Sequence, residues 1–497
     1  MHPTPRDTTL ALGGEAFRRA GHELVDRIAT FLDTLGEQSL TTAADPAAIR
    51  AVIDAGAPMP DQGSDPEVLL RETASHLMAH SLFNGHPQFY GYITSSPAPI
   101  GMLGDLLAAA INPNVGAWRL APLATEIEKQ AVQWIAELIG YPRDAGGLFV
   151  SGGNMANIVA FLAARVAAAG HDVHAEGAGA PGAAPLAIYA SRETHTWLHK
   201  AASLSGVGTE RIRWIAVDET GRLDLEDLRA HLARDRAAGV RPLMVIGTAG
   251  TVSTGVIDPL RDLSAICRDV GAWFHIDGAY GGFAAAVPGL DPDLAAIGEA
   301  DSIAIDPHKW LYAPLEAGCV LVRDPAALRR TYSHHPVYYQ FDAEQLNYFD
   351  YGPQNSRGFR ALKVWLALKQ VGRAGYAAMI AEDIRLARQL HVALEAHPAF
   401  EAATTSLSIT TFRYVPADLV ATVAEPATAE YLDALNRELV ERIQASGRAF
   451  VSNAVVAGRY MLRACIVNFN TTAAHVEALP GIILPIARAL DAEMRKG

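Results

Sequence analysis

The sequence predicts an α/β protein: a largely parallel sheet with helices on both faces. Two observations lead there. Between residues 186 and 305, short apolar runs alternate with segments of helical period, and the runs lack the polar alternation of a half-exposed strand. At 497 residues, half of them hydrophobic and 19% charged, the chain can also bury a large interior, as one large domain with one or two smaller ones.

The expected strands are 186–190, 213–217, 243–247, 273–276 and 303–305, and the helices between them 195–206, 225–238 and 260–270. Ahead of them, 15–37 reads as an amphipathic helix whose stripe is Phe17, Leu24, Ile28, Phe31, Leu32 and Leu35. A Pro/Gly/Asp-punctuated stretch at 45–65 precedes a second helix ending near His80. Residues 86–97 crowd aromatics against small polar side chains, which fits core packing and a ligand pocket alike. Helical patterns at 101–111 and 124–139 flank Asn112-Pro113-Asn114-Val115-Gly116. After residue 305, the long stretch 331–355, dotted with tyrosines, reads as a lid, 359–371 as a helix, and 407–412, 449–456 and 460–468 as strands of a smaller α+β domain. The expected division is a helical arm (1–87), a large domain (88–372) and a small domain (373–497).

Composition excludes some functions. A formal net charge of -13 without any Lys/Arg-rich run disfavours nucleic acid. Cys267, Cys319 and Cys465 are too scattered for a disulfide framework or a CxxC pair, and read as buried thiols of a reducing compartment. With no apolar leader and no run of 18 apolar residues, the expected location is cytoplasmic, without a membrane span.

Chemistry collects where the strands end, which is where ligands bind in such sheets. Gly146-Gly147-Leu148-Phe149-Val150-Ser151-Gly152-Gly153-Asn154 leads into an alanine-rich helix at 156–169. Two glycines at a strand-to-helix turn let backbone N–H groups approach a phosphate; a tight turn capped by Asn154 is the alternative. Neither a Walker loop nor GxGxxG is present. Gly247-Thr248-Ala249-Gly250-Thr251 closes another strand, His195 follows a third, and Asp277 ends Phe274-His275-Ile276-Asp277-Gly278-Ala279-Tyr280. Lys309 follows the apolar run in Asp301-Ser302-Ile303-Ala304-Ile305-Asp306-Pro307-His308-Lys309-Trp310-Leu311. Singly these fit dull roles: a cap for Asp277, a turn for Thr251, a surface histidine for His195. Zinc on His195 and His199 lacks both HExxH and a third ligand, so no metal is expected; no GxSxG elbow suggests a serine hydrolase. Together the groups match pyridoxal 5′-phosphate (PLP): a lysine for its aldehyde, an acid for its ring nitrogen, a flat side chain for its face, and Gly152, Gly153, Asn154 and Thr251 for its phosphate.

These stretches, with Phe17-Arg18-Arg19-Ala20-Gly21, Thr194-His195-Thr196 and Ser356-Arg357-Gly358-Phe359-Arg360-Ala361-Leu362-Lys363, resemble the group II PLP-dependent amino-acid decarboxylases over nearly the whole chain. The resemblance implies the PLP-dependent transferase fold type I, a homodimer with sites at its interface, and decarboxylation of an L-amino acid, aromatic by the nearest likeness. It implies that Lys309 holds the cofactor, Asp277 its nitrogen, His195 one face and Ala279 the other, with His308 near the substrate carboxylate and Tyr92, Ile93, Thr94 and Gly116 around the substrate. It also implies a loop tyrosine that protonates the product: Tyr348 by register, with Tyr351, Tyr339 and Tyr338 as alternates. Relatives with phenylalanine there resemble aldehyde synthases, which is the alternative reading; a pyridoxal-binding protein without turnover is a third. The chain departs from the family pattern at Ile93 and Gly116, where aromatics stand in aromatic-amino-acid decarboxylases, and at Asp306, where an asparagine often contacts phosphate.

Overall fold

The computed structural model describes residues 8, 10–42, 45–335 and 345–496. Five helices come first: α1 (Gly14–Thr34), α2 (Pro46–Val52), α3 (Pro66–His80), α4 (Pro99–Ile111) and α5 (Pro122–Ile139). The punctuated stretch at 45–65 is not empty of structure, because Asp45 and Pro46 begin α2 by the same chemistry with which Asp65 and Pro66 begin α3. Each carboxylate accepts the next free N–H groups, and each proline occupies a position whose own N–H would be unpaired.

A seven-stranded sheet follows, in the order β1-β7-β6-β5-β4-β2-β3. Its strands are β1 (Gly146–Val150), β2 (Leu186–Ser191), β3 (Ile212–Ile215), β4 (Arg241–Thr248), β5 (Trp273–Asp277), β6 (Ser302–Ile305) and β7 (Gly318–Val322). β2 to β6 run parallel, and β7 inserts antiparallel between β1 and β6. The sequence reading omitted β7, although Cys319, Val320, Leu321 and Val322 are an apolar run buried like the others. The helices α6 (Gly153–Ala169), α7 (Val173–Glu176), α8 (Trp197–Leu204), α9 (Leu225–Ala237), α10 (Leu260–Val270) and α11 (Pro325–Tyr332) connect and cover the strands. Helix α8 starts two residues later than periodicity suggests, which leaves His195 on the loop before it.

α12 (Ala361–Glu395) leads from this sheet to a second, antiparallel one, leaving helical geometry at Gly372 (φ 69°, ψ 171°). That sheet runs β10-β11-β9-β8, from β8 (Phe400–Ser406), β9 (Ile409–Tyr414), β10 (Ser452–Val456) and β11 (Arg459–Cys465). The sequence reading missed β8, which is polar and only half-buried along most of its length. α13 (Pro426–Ala445), α14 (Ala473–Met494) and the end of α12 close a separate core around Leu390, Leu394, Leu435, Leu439, Ile443 and Ile483.

Two buried polar contacts tie distant segments together. Glu128 on α5 faces Arg357, both side chains almost wholly buried. Arg357 Nη1 donates to Glu128 Oε2 (3.2 Å) and to the Val115 carbonyl (3.0 Å), Nη2 donates to Glu128 Oε1 and to the Phe149 carbonyl (2.8 Å), and Phe149 N–H donates to Glu128 Oε1 (3.0 Å). On α12, Asp383 Oδ2 accepts from Trp310 Nε1 (3.0 Å) and Tyr312 Oη (2.8 Å). Burial pushes the Asp383 carboxyl up to about 7.

Two outcomes follow from these contacts. Glu128→Ala leaves the Arg357 cation buried without its counter-ion and lowers unfolding free energy by about 3–5 kcal/mol in urea titrations; a loss below about 1 kcal/mol would mean that water reaches Arg357. For Asp383 the folded chain holds the proton more tightly than the unfolded one. Its contribution is therefore greatest below pH 4 and is lost as pH rises toward 7, a change on the order of 4 kcal/mol. Asp383→Asn cannot ionise and removes that part of the slope; an unchanged slope between pH 5 and 8 refutes the assignment.

Candidate active site

The lysine turn grows out of β6. Pro307 ends the strand, and Lys309 N–H donates to the Asp306 carbonyl (2.9 Å), as Tyr312 N–H does to that of Lys309 (3.1 Å). Trp310, Leu311 and Tyr312 are buried, and Tyr312 adopts a positive φ of 53°, an uncommon conformation for a bulky residue, under the grip of Asp383. Trp310 also stacks on Tyr280 with ring centroids 4.8 Å apart. Held this way, Lys309 Nζ lies 3.1 Å from Asp306 Oδ2, with His308 Nε2 3.6 Å from the same oxygen. Burial lowers the His308 pKa, and its Nδ1 faces the Ala317 carbonyl at 2.7 Å.

Asp277 ends β5. Its Oδ2 accepts from the buried Trp197 Nε1 (2.8 Å) and its Oδ1 from Ala279 N–H (3.2 Å), which fixes the plane of the carboxylate. Trp197 N–H donates to His195 Nδ1 (3.3 Å), so one residue orients both the acid and the imidazole. The His195 side chain is exposed, yet the protein packed around it lowers its pKa against the opposing pull of Asp277. His195 also feels Lys309 and Asp306, which puts all four groups within electrostatic reach of one another. Behind Asp277 on the same strand, His275 bridges Ser302 Oγ (2.8 Å) and Asn157 Oδ1 (2.7 Å) and is driven down to about 4 by burial, so it is neutral at physiological pH. Sequence reading gave His275 no role; its i, i+2 spacing from Asp277 was the available signal.

The glycine turn arrives at the same place. A Cβ at Gly153 would lie 2.7 Å from Asp306 Oδ2 and 2.9 Å from the Ala279 methyl, and one at Gly318 would lie 2.4 Å from Gly152. Only glycine lets the start of α6 come this close. Gly152 is the N-cap and no side chain caps α6, so Asn154 stands within the first turn and the capping alternative falls. Thr251 is buried, with its Oγ1 against Thr254 Oγ1 (3.0 Å) and accepting from Val256 N–H (3.2 Å); it closes a turn, as its alternative reading had it.

The aromatic segment reaches the lysine turn through Ser95 Oγ, which donates to the His308 carbonyl (2.7 Å). Tyr92 (φ 50°) is exposed beside Phe450, while Ile93 and Thr94 are half-buried. Gly116 has a packing cause: a Cβ there would meet the Asn355 carbonyl oxygen at 2.1 Å, which excludes an aromatic. The described part of the expected lid is packed down instead. Tyr348 is fully buried among Val115, Leu148, Val150 and Ala156, with Arg357 4.6 Å over its ring, and its hydroxyl has no partner among the described residues. Tyr351 packs against it, whereas Tyr338 and Tyr339 lie outside the described residues.

PLP fits these residues. Lys309 could hold the aldehyde carbon, Asp277 the ring nitrogen, and His195 and Ala279 the two faces. The first-turn N–H groups of α6, which no side chain caps, could hold the phosphate. Asp306 is the discordant member, a buried acid at that cradle.

Comparison with known proteins agrees. Residues 46–415 match the pyridoxal-dependent decarboxylase conserved domain. The chain is 33% identical over 474 residues to an aromatic-L-amino-acid decarboxylase of Bacillus atrophaeus, covering 93% of this chain and 94% of that one. It is 29% identical to a phenylacetaldehyde synthase of a Rosa hybrid cultivar, over 97% of this chain and 96% of the relative. The crystal structure of Oryza sativa TDC with PLP and tryptamine superposes with a TM-score of 0.89 at 28% identity, over 97% of this chain and all of the other. The sheet, the lysine turn and these likenesses together make the chain a member of the pyridoxal-dependent decarboxylase family, with PLP as its cofactor.

Proposed function

We propose that this enzyme decarboxylates an aromatic L-amino acid to its amine and CO₂, as a cytoplasmic homodimer. The convergence of Lys309, Asp277 and His195 at one sheet edge carries the reading, and the aromatic-amino-acid decarboxylase and TDC likenesses support the substrate class. Bound there, PLP supplies the electron sink for the negative charge left on the substrate α-carbon when CO₂ departs. Asp277, oriented by Trp197, would keep a proton on the ring nitrogen. His195 and Ala279 would hold the two faces of the ring, and Gly152 and Gly153 at the helix start would hold the phosphate. His308 lies toward the substrate carboxylate, and Tyr92, Ile93 and Thr94 border the side-chain pocket. Tyr348 donates the proton that replaces CO₂, once its segment opens.

Exposed apolar side chains support the dimer. Phe17, Leu69, Leu77, Leu103, Leu106, Leu107 and Ile111 on α1, α3 and α4 are each more than half exposed in the single chain, and a second copy would cover them. Three buried, unpaired cysteines accord with the cytoplasm.

The alternative product is an aldehyde, and the Rosa phenylacetaldehyde synthase likeness favours testing it. Lys309→Ala protein is expected to lose the visible absorbance of lysine-bound cofactor and all CO₂ release across a panel of L-amino acids; retained absorbance refutes the lysine assignment. Tyr348→Phe is expected to cut amine formation about a hundredfold or more and to start oxygen uptake with peroxide and aldehyde release. Oxygen uptake by the wild type would instead establish the synthase.

A further inference from the structure

Asp306 does not behave as a packing residue. It is 2% exposed, its Oδ2 serves Lys309 and His308, and its Oδ1 is buried without any partner among the described residues. The carboxyl lies directly against Gly153, with Cγ 3.2 Å from where a Cβ would stand. An anion seated on the first-turn N–H groups of α6 therefore meets this second anion. A phosphate monoester carries about 1.5 to 2 negative charges at pH 7, and Lys309, the cation at ion-pair distance from Asp306, is withdrawn when its amine engages the cofactor.

We propose that Asp306 makes phosphate capture proton-linked: one proton is held between its carboxyl group and the cofactor phosphate at the start of α6. The proposal rests on PLP binding with its phosphate at that helix start. The other titratable groups facing Asp306 do not replace this proton. His308, on the same turn, is half-buried and resists protonation, as does His195 from the loop before α8; Lys309 is committed; and Cys319 on β7 is a buried neutral thiol. An asparagine in place of Asp306 would donate to phosphate with no proton required, so the acid exchanges tight, pH-independent loading for loading that weakens as pH rises.

The test compares PLP with pyridoxal, which lacks the phosphate, on full-length protein stripped of cofactor. Affinity for each is measured between pH 6.5 and 9 by fluorescence, and proton uptake by calorimetry in buffers of different ionisation enthalpy. In the wild type, the PLP-to-pyridoxal affinity ratio is expected to fall with rising pH, up to about tenfold per pH unit for one linked proton, with PLP taking up about one proton more than pyridoxal. Asp306→Asn is expected to flatten the ratio, abolish the extra uptake and bind PLP more tightly above pH 8. A flat ratio without extra uptake in the wild type, which needs no variant to fold, overturns the proposal, as does Asp306→Asn protein that keeps the wild-type slope. A wild type that binds no PLP at any pH overturns the cofactor assignment itself, and the proposal with it.

Discussion

Much of this site hangs on the carboxylate of Asp383. It accepts from Trp310 and Tyr312 at once, and thereby pins the turn that bears Lys309 to a helix that reaches into the second core. A lysine on a free loop would waste its binding energy on being ordered. Here two buried aromatics and a stacked tyrosine offset that cost, along with the strain of the positive φ at Tyr312.

The same economy governs the ligand cradle. Parallel strands bring their carboxyl ends to one edge, but the edge is useful only if backbone can approach backbone there. Gly153 and Gly318 permit that, each at a contact that a methyl group would block. Trp197 performs a parallel task on the other side, orienting His195 through its backbone and Asp277 through its indole. Rigid neighbours thus set the directions of three reacting groups.

The segment after 345 shows why a motif can be legible while its role is not. Arg357 stands in a stretch that marks the family, yet its guanidinium is spent on Glu128 and on two carbonyls, clamping β1, α5 and the Val115 loop. That clamp carries Tyr348 into an apolar cluster and brings Asn355 against Gly116, which explains the missing aromatic.

By itself the sequence determined the parallel strands and the chemistry at their ends. Each apolar run and the polar residue after it are adjacent in the chain, and period is a local property. Lys309, Asp277, His195 and the glycine turn were legible for that reason, and the family stretches named the cofactor. The antiparallel insertion of β7 and the burial of Tyr348 were decided only in three dimensions. So was the Glu128–Arg357 pair, whose members are 229 residues apart. Such contacts depend on which surfaces meet after the sheet has formed, and no local pattern encodes that meeting.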